Sequence, residues 1–289
     1  MTSKCTSLRR LISAGDLLVA PGVYDGISAR LAEQAGFQSI YMTGAGTSAV
    51  HGFPDYGLLT ATEMADHVRR IVDCTGIPLI ADADTGYGNE LNVTRALRDY
   101  ERAGVAGLHI EDQVAPKRCG HLDGKELVPV EEFLIKIRAA VAARRDPDLV
   151  IIARTDARAV TGFDDAIARA NAALDAGADM AFVEAIPTRE ELARVPDLIR
   201  GPCLLNVVPG GKTPHVTAAE ARRMGYALAI CPGVMLSAQV AALEGALAAL
   251  RDSGLPELDE SLPPVAEIFR RFGSEEWDGL RSGAAEVAA

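Results

Sequence analysis

Leu149-Val150-Ile151-Ile152-Ala153-Arg154-Thr155-Asp156 is an apolar, β-branched run that ends abruptly in a cation and a carboxylate. A short continuous apolar run reads as a strand buried on both faces, the environment of a parallel sheet. Seven more such runs surround it: Leu17 to Ala20, Ser39 to Thr43, Ile77 to Ala81, Gly107 to Ile110, Met180 to Val183, Cys203 to Val207 and Ala227 to Cys231. Alanine-rich amphipathic stretches separate them, among them Ile27 to Gln34, Ala61 to Asp73, Asn92 to Ala103, Val130 to Arg144 and Phe163 to Ala176. Glycine follows several of these (Gly36, Gly76, Gly104, Gly177, Gly225), as expected just past a helix end. Eight strand–helix repeats predict an α/β protein of the (β/α)8 TIM-barrel type, whose function collects at the C-terminal strand ends. A doubly wound open sheet is the competing architecture and normally uses fewer repeats.

The residues that follow the strands carry chemistry. Thr43-Gly44-Ala45-Gly46 follows the second and Asp82-Ala83-Asp84-Thr85-Gly86 the third. The fourth ends in Glu111-Asp112-Gln113, the fifth in Arg154-Thr155-Asp156, the sixth in Glu184, the seventh in Asn206, and the eighth reaches Pro232-Gly233. Structural charges scatter over helix faces, whereas these sit at one end of consecutive strands and so surround one mouth. That distribution points to an enzyme.

With 289 residues, 48% of them hydrophobic, the chain can fill one large barrel core. A net charge of −11 argues against nucleic acid and anionic membrane surfaces as partners. The five cysteines (Cys5, Cys74, Cys119, Cys203, Cys231) are widely spaced and suit neither a disulfide framework nor a zinc knuckle. Met1 to Asp16 lacks a secretory apolar core, and no apolar run is read as reaching the ~18 residues of a membrane span. The expectation is a reduced, cytoplasmic, soluble protein.

Asp82 and Asp84 are two residues apart, so on an extended strand end both would face one side, within reach of Glu111 on the next strand. Crowded carboxylates need a cation, and all-oxygen donors select Mg²⁺ or Mn²⁺. The plainer alternative is a turn cap at Asp82 with Glu111 and Asp112 paired to lysines. Arg154 would be a costly buried charge without an anion. Its partner is either a neighbouring carboxylate or, the reading favoured here, a substrate carboxylate held bidentately. Lys117-Arg118-Cys119-Gly120-His121 sets a thiol among cations beside glycine, the parts of an acid–base group on a hinged lid. The cations are expected to lower its pKa; an incidental cysteine on a solvated basic loop is the alternative. Gly44-Ala45-Gly46-Thr47-Ser48-Ala49 imitates a dinucleotide fingerprint, but Gly52, Pro54 and Gly57 should break the helix that such a site needs. The segment instead offers backbone N–H groups and Thr43 to an anion. His51, His67, His109 and His215 show no ligand spacing and read as packing or surface residues.

Together, Tyr41-Met42-Thr43-Gly44, Ala81 to Gly88, His109 to Gln113, Lys117 to His121 and Ala153 to Ala157 resemble the isocitrate lyase/phosphoenolpyruvate mutase superfamily, over nearly the whole chain. The cysteine loop and chain length are similar to its short carbon–carbon lyases, acting on 2-methylisocitrate or 2,3-dimethylmalate. Thr43-Gly44-Ala45 departs from the Ser-Gly-Gly of 2-methylisocitrate lyases, and Gly210-Gly211-Lys212-Thr213-Pro214 looks more like the dimethylmalate lyase and petal-death branch. Pro232 stands where oxaloacetate-cleaving relatives favour serine. The resemblance implies a catalytic barrel over 1–255 and a helical extension over 256–289, including Val265 to Leu280, swapped between subunits of a homotetramer. It also implies Mg²⁺ held largely through waters by Asp82, Asp84, Glu111 and Asp55. Cys119 would be the general acid, Tyr41 the base or its orienter, and Arg154, Glu184, Asn206, Lys117, Gly120 and His121 would hold the small carboxylate substrate. Oxaloacetate hydrolysis or decarboxylation, phosphonate mutation and a non-catalytic carboxylate-binding barrel are the alternatives.

Overall fold

The computed structural model of the chain describes residues 3–255 and 262–287. Eight strands, β1 (Leu18–Val23), β2 (Ile40–Met42), β3 (Leu79–Asp82), β4 (Gly107–Glu111), β5 (Val150–Thr155), β6 (Met180–Val183), β7 (Cys203–Asn206) and β8 (Leu228–Cys231), pair in parallel and in order. β8 returns to β1, with Leu18 opposite Leu228, so the sheet closes into a barrel. Every residue of β5 is buried, as its unbroken apolar sequence requires. Each apolar run of the sequence overlaps one of these strands, and the TIM-type fold is the observed one.

Helix α1 (Lys4–Ser13) precedes the barrel, and its buried Leu8 packs at Gly107, the first residue of β4. The helices that follow are α2 (Gly26–Gln34), α3 (Gly44–Val50), α4 (Ala61–Cys74), α5 (Glu90–Arg102), α6 (Val130–Ala143), α7 (Phe163–Asp175), α8 (Arg189–Leu198) and α9 (Ala218–Met224). Met64, His67, Val68 and Ile71 of α4, and Val93, Ala96, Leu97 and Tyr100 of α5, form the one-sided stripes that a helix lying on a barrel buries. Reciprocal caps at Thr60/Glu63 and Asn89/Asn92 start both helices, each cap worth about 1 kcal/mol. Gly104 and Gly177 close α5 and α7 in the left-handed conformation, but α4 ends on extended Thr75 and Gly76 is not left-handed.

Three expectations change. A helix does follow Gly44: α3 fits its seven residues in before Gly52, Pro54 and Gly57, which terminate it rather than prevent it. The stretch Val265 to Leu280 is not one helix. It holds α11 (Val265–Arg271) and the start of α12 (Ser274–Val287), divided at Gly273, whose φ is 90°. Finally, α10 (Val234–Ser253) has 20 residues, a mean hydropathy of 1.3 and no buried residue, so by length and composition it could cross a membrane.

The chain forms two compact units, Met1–Ser237 and Ala238–Ala289. The second starts within α10. The expected boundary at 255/256 borders residues 256–261, which lie outside the described residues, as do 288–289.

Candidate active site

The strand ends converge as the sequence implied. Tyr41, Thr43, Ala45, Asp55, Asp82, Cys119, Gly120, His121, Arg154, Glu184 and Asn206 line one cavity of about 100 Å³, with Val208, Pro232, Gly233 and Leu236. Lys117 and Asp84 line a larger, open cavity of about 580 Å³ with Tyr87, Asn92 and Arg95. The smaller cavity is the candidate site, because thiol, imidazole, guanidinium and phenol meet there. Gly44 does not line it; a Cβ at Gly44 would collide with the Asp82 carboxylate, so glycine is what lets α3 start so close to β3.

Asp82 and Asp84 are brought together, but not by an extended strand. β3 ends at Asp82, and Asp84 is left-handed at φ 45°, its N–H donating to Asp82 Oδ1 at 2.9 Å. Tyr87 and Ala185 are also left-handed, which places strain in the loops at this mouth, where functional strain usually collects. Lys117 Nζ lies 2.5 Å from Asp55 Oδ1 and 3.0 Å from Asp84 Oδ1. Burial would lower the pKa of that ammonium, but Asp84, Asp82 and Asp55 overcome it and raise the pKa well above its ordinary value. Burial pushes the Asp84 carboxyl up to about 6. At Asp82 burial is outweighed by His109, Lys117 and Arg154, which hold it at about 2. Burial pushes Glu111 well above the usual carboxylate range.

Arg154 has neighbours other than those favoured from sequence. Its guanidinium lies 2.9 Å from Asp156, 3.2 Å from Glu111 and 3.5 Å from Glu184, and over the Phe182 ring at 5.2 Å. The carboxylates of the chain are thus its partners here, the reading ranked second. It still lines the cavity and has the fork geometry to take a substrate carboxylate. Asn206 Nδ2 donates to Glu184 Oε2 at 3.0 Å, fixing both at the same wall.

On the cysteine loop the expected pKa shift is reversed. Burial raises the Cys119 thiol above its ordinary value, against the lowering effects of the His121 backbone N–H, Arg154 and Lys117. A thiol that keeps its proton is a poor resting nucleophile and a competent proton donor. Cys5 and Cys203 are pushed higher, to about 12, by burial away from the cavity. His121 accepts the Lys212 N–H on Nδ1 at 3.0 Å, and its Nε2 lies 3.6 Å from Glu184. A Cβ at Gly120 would stand 2.5 Å from both Arg154 Nη2 and Glu184 Cγ, so only glycine lets the loop lie this low.

Sequence reasoning passed over His109. It is fully buried, its Nε2 is 2.8 Å from the Tyr41 hydroxyl and 3.6 Å from Asp82, and its ring stacks on Tyr41. Its position two before Glu111 on β4 was the available signal, since alternate strand residues share a side. Burial raises the Tyr41 phenol well above its ordinary pKa and lowers His109 to about 4, so Tyr41 suits orientation better than proton abstraction. Asp156 and Lys125, fully and almost fully buried, were likewise not singled out as site residues.

The donor set fits a hard divalent cation. Glu111 Oε1 and Oε2 and Asp84 Oδ1 are buried without a well-aligned hydrogen bond, despite the nearby Arg154 and Lys117 charges. Carboxylates at the mouth (Asp55, Asp82, Asp84, Glu111, Asp156, Glu184) outnumber Lys117, Lys125 and Arg154. Among the described residues no three acidic, histidine or cysteine side chains cage an ion unaided.

The class that this barrel and site define is confirmed by comparison. Residues 8–251 match the family model of phosphoenolpyruvate phosphomutase. The chain is 49% identical over 226 residues to a 2,3-dimethylmalate lyase of Eubacterium barkeri, covering 78% of each chain. It is 44% identical over 272 residues to a 2-methylisocitrate lyase of Aeropyrum pernix, covering 94% of this chain and 88% of the relative. A solved oxaloacetate acetylhydrolase bound to 3,3-difluorooxalacetate superimposes with a TM-score of 0.94 at 42% identity, over 98% of this chain and 97% of that one. The chain belongs to the phosphoenolpyruvate mutase/isocitrate lyase superfamily. Within it, the protein is a lyase.

Proposed function

We propose that the protein is a Mg²⁺-dependent carbon–carbon lyase that cleaves a 2-hydroxy di- or tricarboxylate, of the 2,3-dimethylmalate or 2-methylisocitrate type, to a 2-oxo acid such as pyruvate and a second carboxylate. The observation that carries this reading is that Cys119, whose thiol burial pushes up, lines one small cavity with Arg154, Glu184 and Asn206. Mg²⁺, or Mn²⁺ in its place, would be held by Asp82, Asp84, Asp55 and Glu111 and would supply Lewis acidity to the 2-hydroxy-acid end. Arg154 and His121 bind the second carboxylate, with Asn206 and Glu184 fixing their orientation. Tyr41, braced by His109, orients the 2-hydroxyl. As a base takes the hydroxyl proton, the C2–C3 bond breaks, C2 becomes a carbonyl, and the electron pair passes to C3. Cys119 Sγ–H gives its proton to C3, and Lys117 and Arg154 stabilise the thiolate left behind.

Leu243 and Leu247 of α10, and Phe269, Trp277 and Leu280 beyond it, are exposed in the single chain. They support a homotetramer in which this helical extension packs on a neighbouring subunit, an assembly that would cover the apolar α10 without a membrane. A cytoplasmic location accords with that reading.

Oxaloacetate acetylhydrolysis is the second reading, favoured by the structural likeness just given and opposed by Pro232, which lines the cavity without a hydroxyl. Comparing kcat/KM for 2,3-dimethylmalate, 2-methylisocitrate, isocitrate and oxaloacetate separates them. Pyruvate from one of the first two substrates is expected to lead. Oxalate released from oxaloacetate faster than any pyruvate would replace the first reading by the second.

A further inference from the structure

The loop that carries Cys119 is stapled at its base and tied at its tip. An antiparallel bridge joins Gln113 to Leu127, and the Val114 N–H donates to Glu126 O at 2.8 Å. Lys125 sits beside that base, next to the paired Glu126. Its side chain is 1% exposed. Its ammonium donates to Asp156 Oδ1 at 2.8 Å, at the end of β5, and to the carbonyl of Gly120 at the tip. Asp156 is itself fixed by Arg154 at 2.9 Å and by its own N–H, donated to Asp112 Oδ1 at 2.9 Å. Gly120 is the residue between Cys119 and His121, and it lies against Arg154 and Glu184 with no room for a Cβ.

We infer that Lys125 is a positioning residue: a buried post between the barrel and the Gly120 carbonyl that sets the loop at the depth where Cys119 meets the substrate. Lys125 does not line the catalytic cavity. A charge buried this deeply needs compensation, and once Gly120 lifts away the ammonium has lost one of its two acceptors. The closed loop is therefore favoured without any contact between Lys125 and substrate. Other ties also hold the loop: Gln113 bonds both backbone groups of Arg118, at 2.8 and 3.0 Å, and the Lys212 N–H donates to His121 Nδ1 at 3.0 Å, but neither fixes the Gly120 carbonyl. Lys117 is held by the proposed metal-binding carboxylates, and the Lys212–Asp123 pair is exposed and worth little.

The kinetic part of this inference rests on Cys119 as the proton donor; the positional part does not. The test uses Lys125→Met, which keeps the length of the side chain and removes its charge, and Lys125→Arg, which keeps the charge. In Lys125→Met, alkylation of Cys119 by iodoacetamide should accelerate at least about tenfold. Amide exchange across 117–124 should quicken while that of α6 stays as in the wild type. On the substrate that the wild type turns over, kcat should fall about 10- to 100-fold with KM within about threefold, the size of a misplaced rather than missing group. Lys125→Arg should recover part of the loss. Unchanged alkylation and loop exchange in a folded Lys125→Met would overturn the inference. So would loss of α6 protection together with the loop, which would make Lys125 a residue of the fold. If alkylation and exchange shift as expected but kcat does not, the latch stands and Cys119 is not the acid.

Discussion

Cys119→Ser should bind substrate and metal as the wild type does and lose about 10²- to 10⁴-fold in kcat, the usual worth of a general acid. The two side chains are nearly isosteric, so the loop should still lie between Arg154 and Glu184. The hydroxyl, however, is a far weaker acid than the thiol, even one whose pKa burial has raised. Iodoacetamide should inactivate the wild type, and substrate should protect by covering the cavity that Cys119 lines. Cys5 and Cys203, buried with thiols pushed up to about 12, should react far more slowly. Measured rates within a few-fold of wild type in Cys119→Ser would remove this residue from the chemistry and leave the loop a purely binding role.

Chelation should abolish turnover, and Mg²⁺ or Mn²⁺ should restore it. Asp84→Asn should reproduce the loss at saturating Mg²⁺, with kcat down about 10³-fold or more, since Lewis-acid stabilisation is worth several kcal/mol. Asparagine is the suitable substitution because Asp84 is left-handed at φ 45°, a conformation that asparagine tolerates and alanine resists. A readout apart from activity is thermal stability. Mg²⁺ should raise the wild-type Tm through preferential binding to the folded state and should leave Asp84→Asn nearly unmoved. Full activity in the chelated enzyme would remove the metal from the account.

The barrel was legible because its strands are buried on both faces. β5 needs every residue apolar until Arg154, and that demand is written in the chain as Val150-Ile151-Ile152-Ala153. The mouth was legible for a related reason: polar residues at successive strand ends have few structural uses. What escaped was whatever depends on depth or on local turns. The sign of the Cys119 shift is set by burial, which the neighbouring Lys117, Arg118 and His121 do not reveal. The proximity of Asp82 and Asp84 comes from a left-handed turn at a residue that is not glycine. Lys125, a lysine following Gly124 in a polar loop, reads as solvated until the fold brings Asp156 beneath it. His109 alone could have been found, by the two-residue spacing from Glu111. Helix α3 shows the converse: Gly52 and Pro54 end a helix that they do not forbid, because seven residues fit in before them.

The central claim is retro-aldol cleavage followed by proton delivery from the enzyme to the departing carbon. Its most direct test is product analysis by NMR after turnover of 2,3-dimethylmalate, or of 2-methylisocitrate, in D₂O with Mg²⁺. The account predicts pyruvate in equal amount to the second carboxylate. The latter should carry one deuteron at the carbon released from C2, in a single configuration, because an exchanged Cys119 thiol delivers it from one face. A racemic label, or no pyruvate while oxaloacetate yields oxalate and acetate, would contradict it.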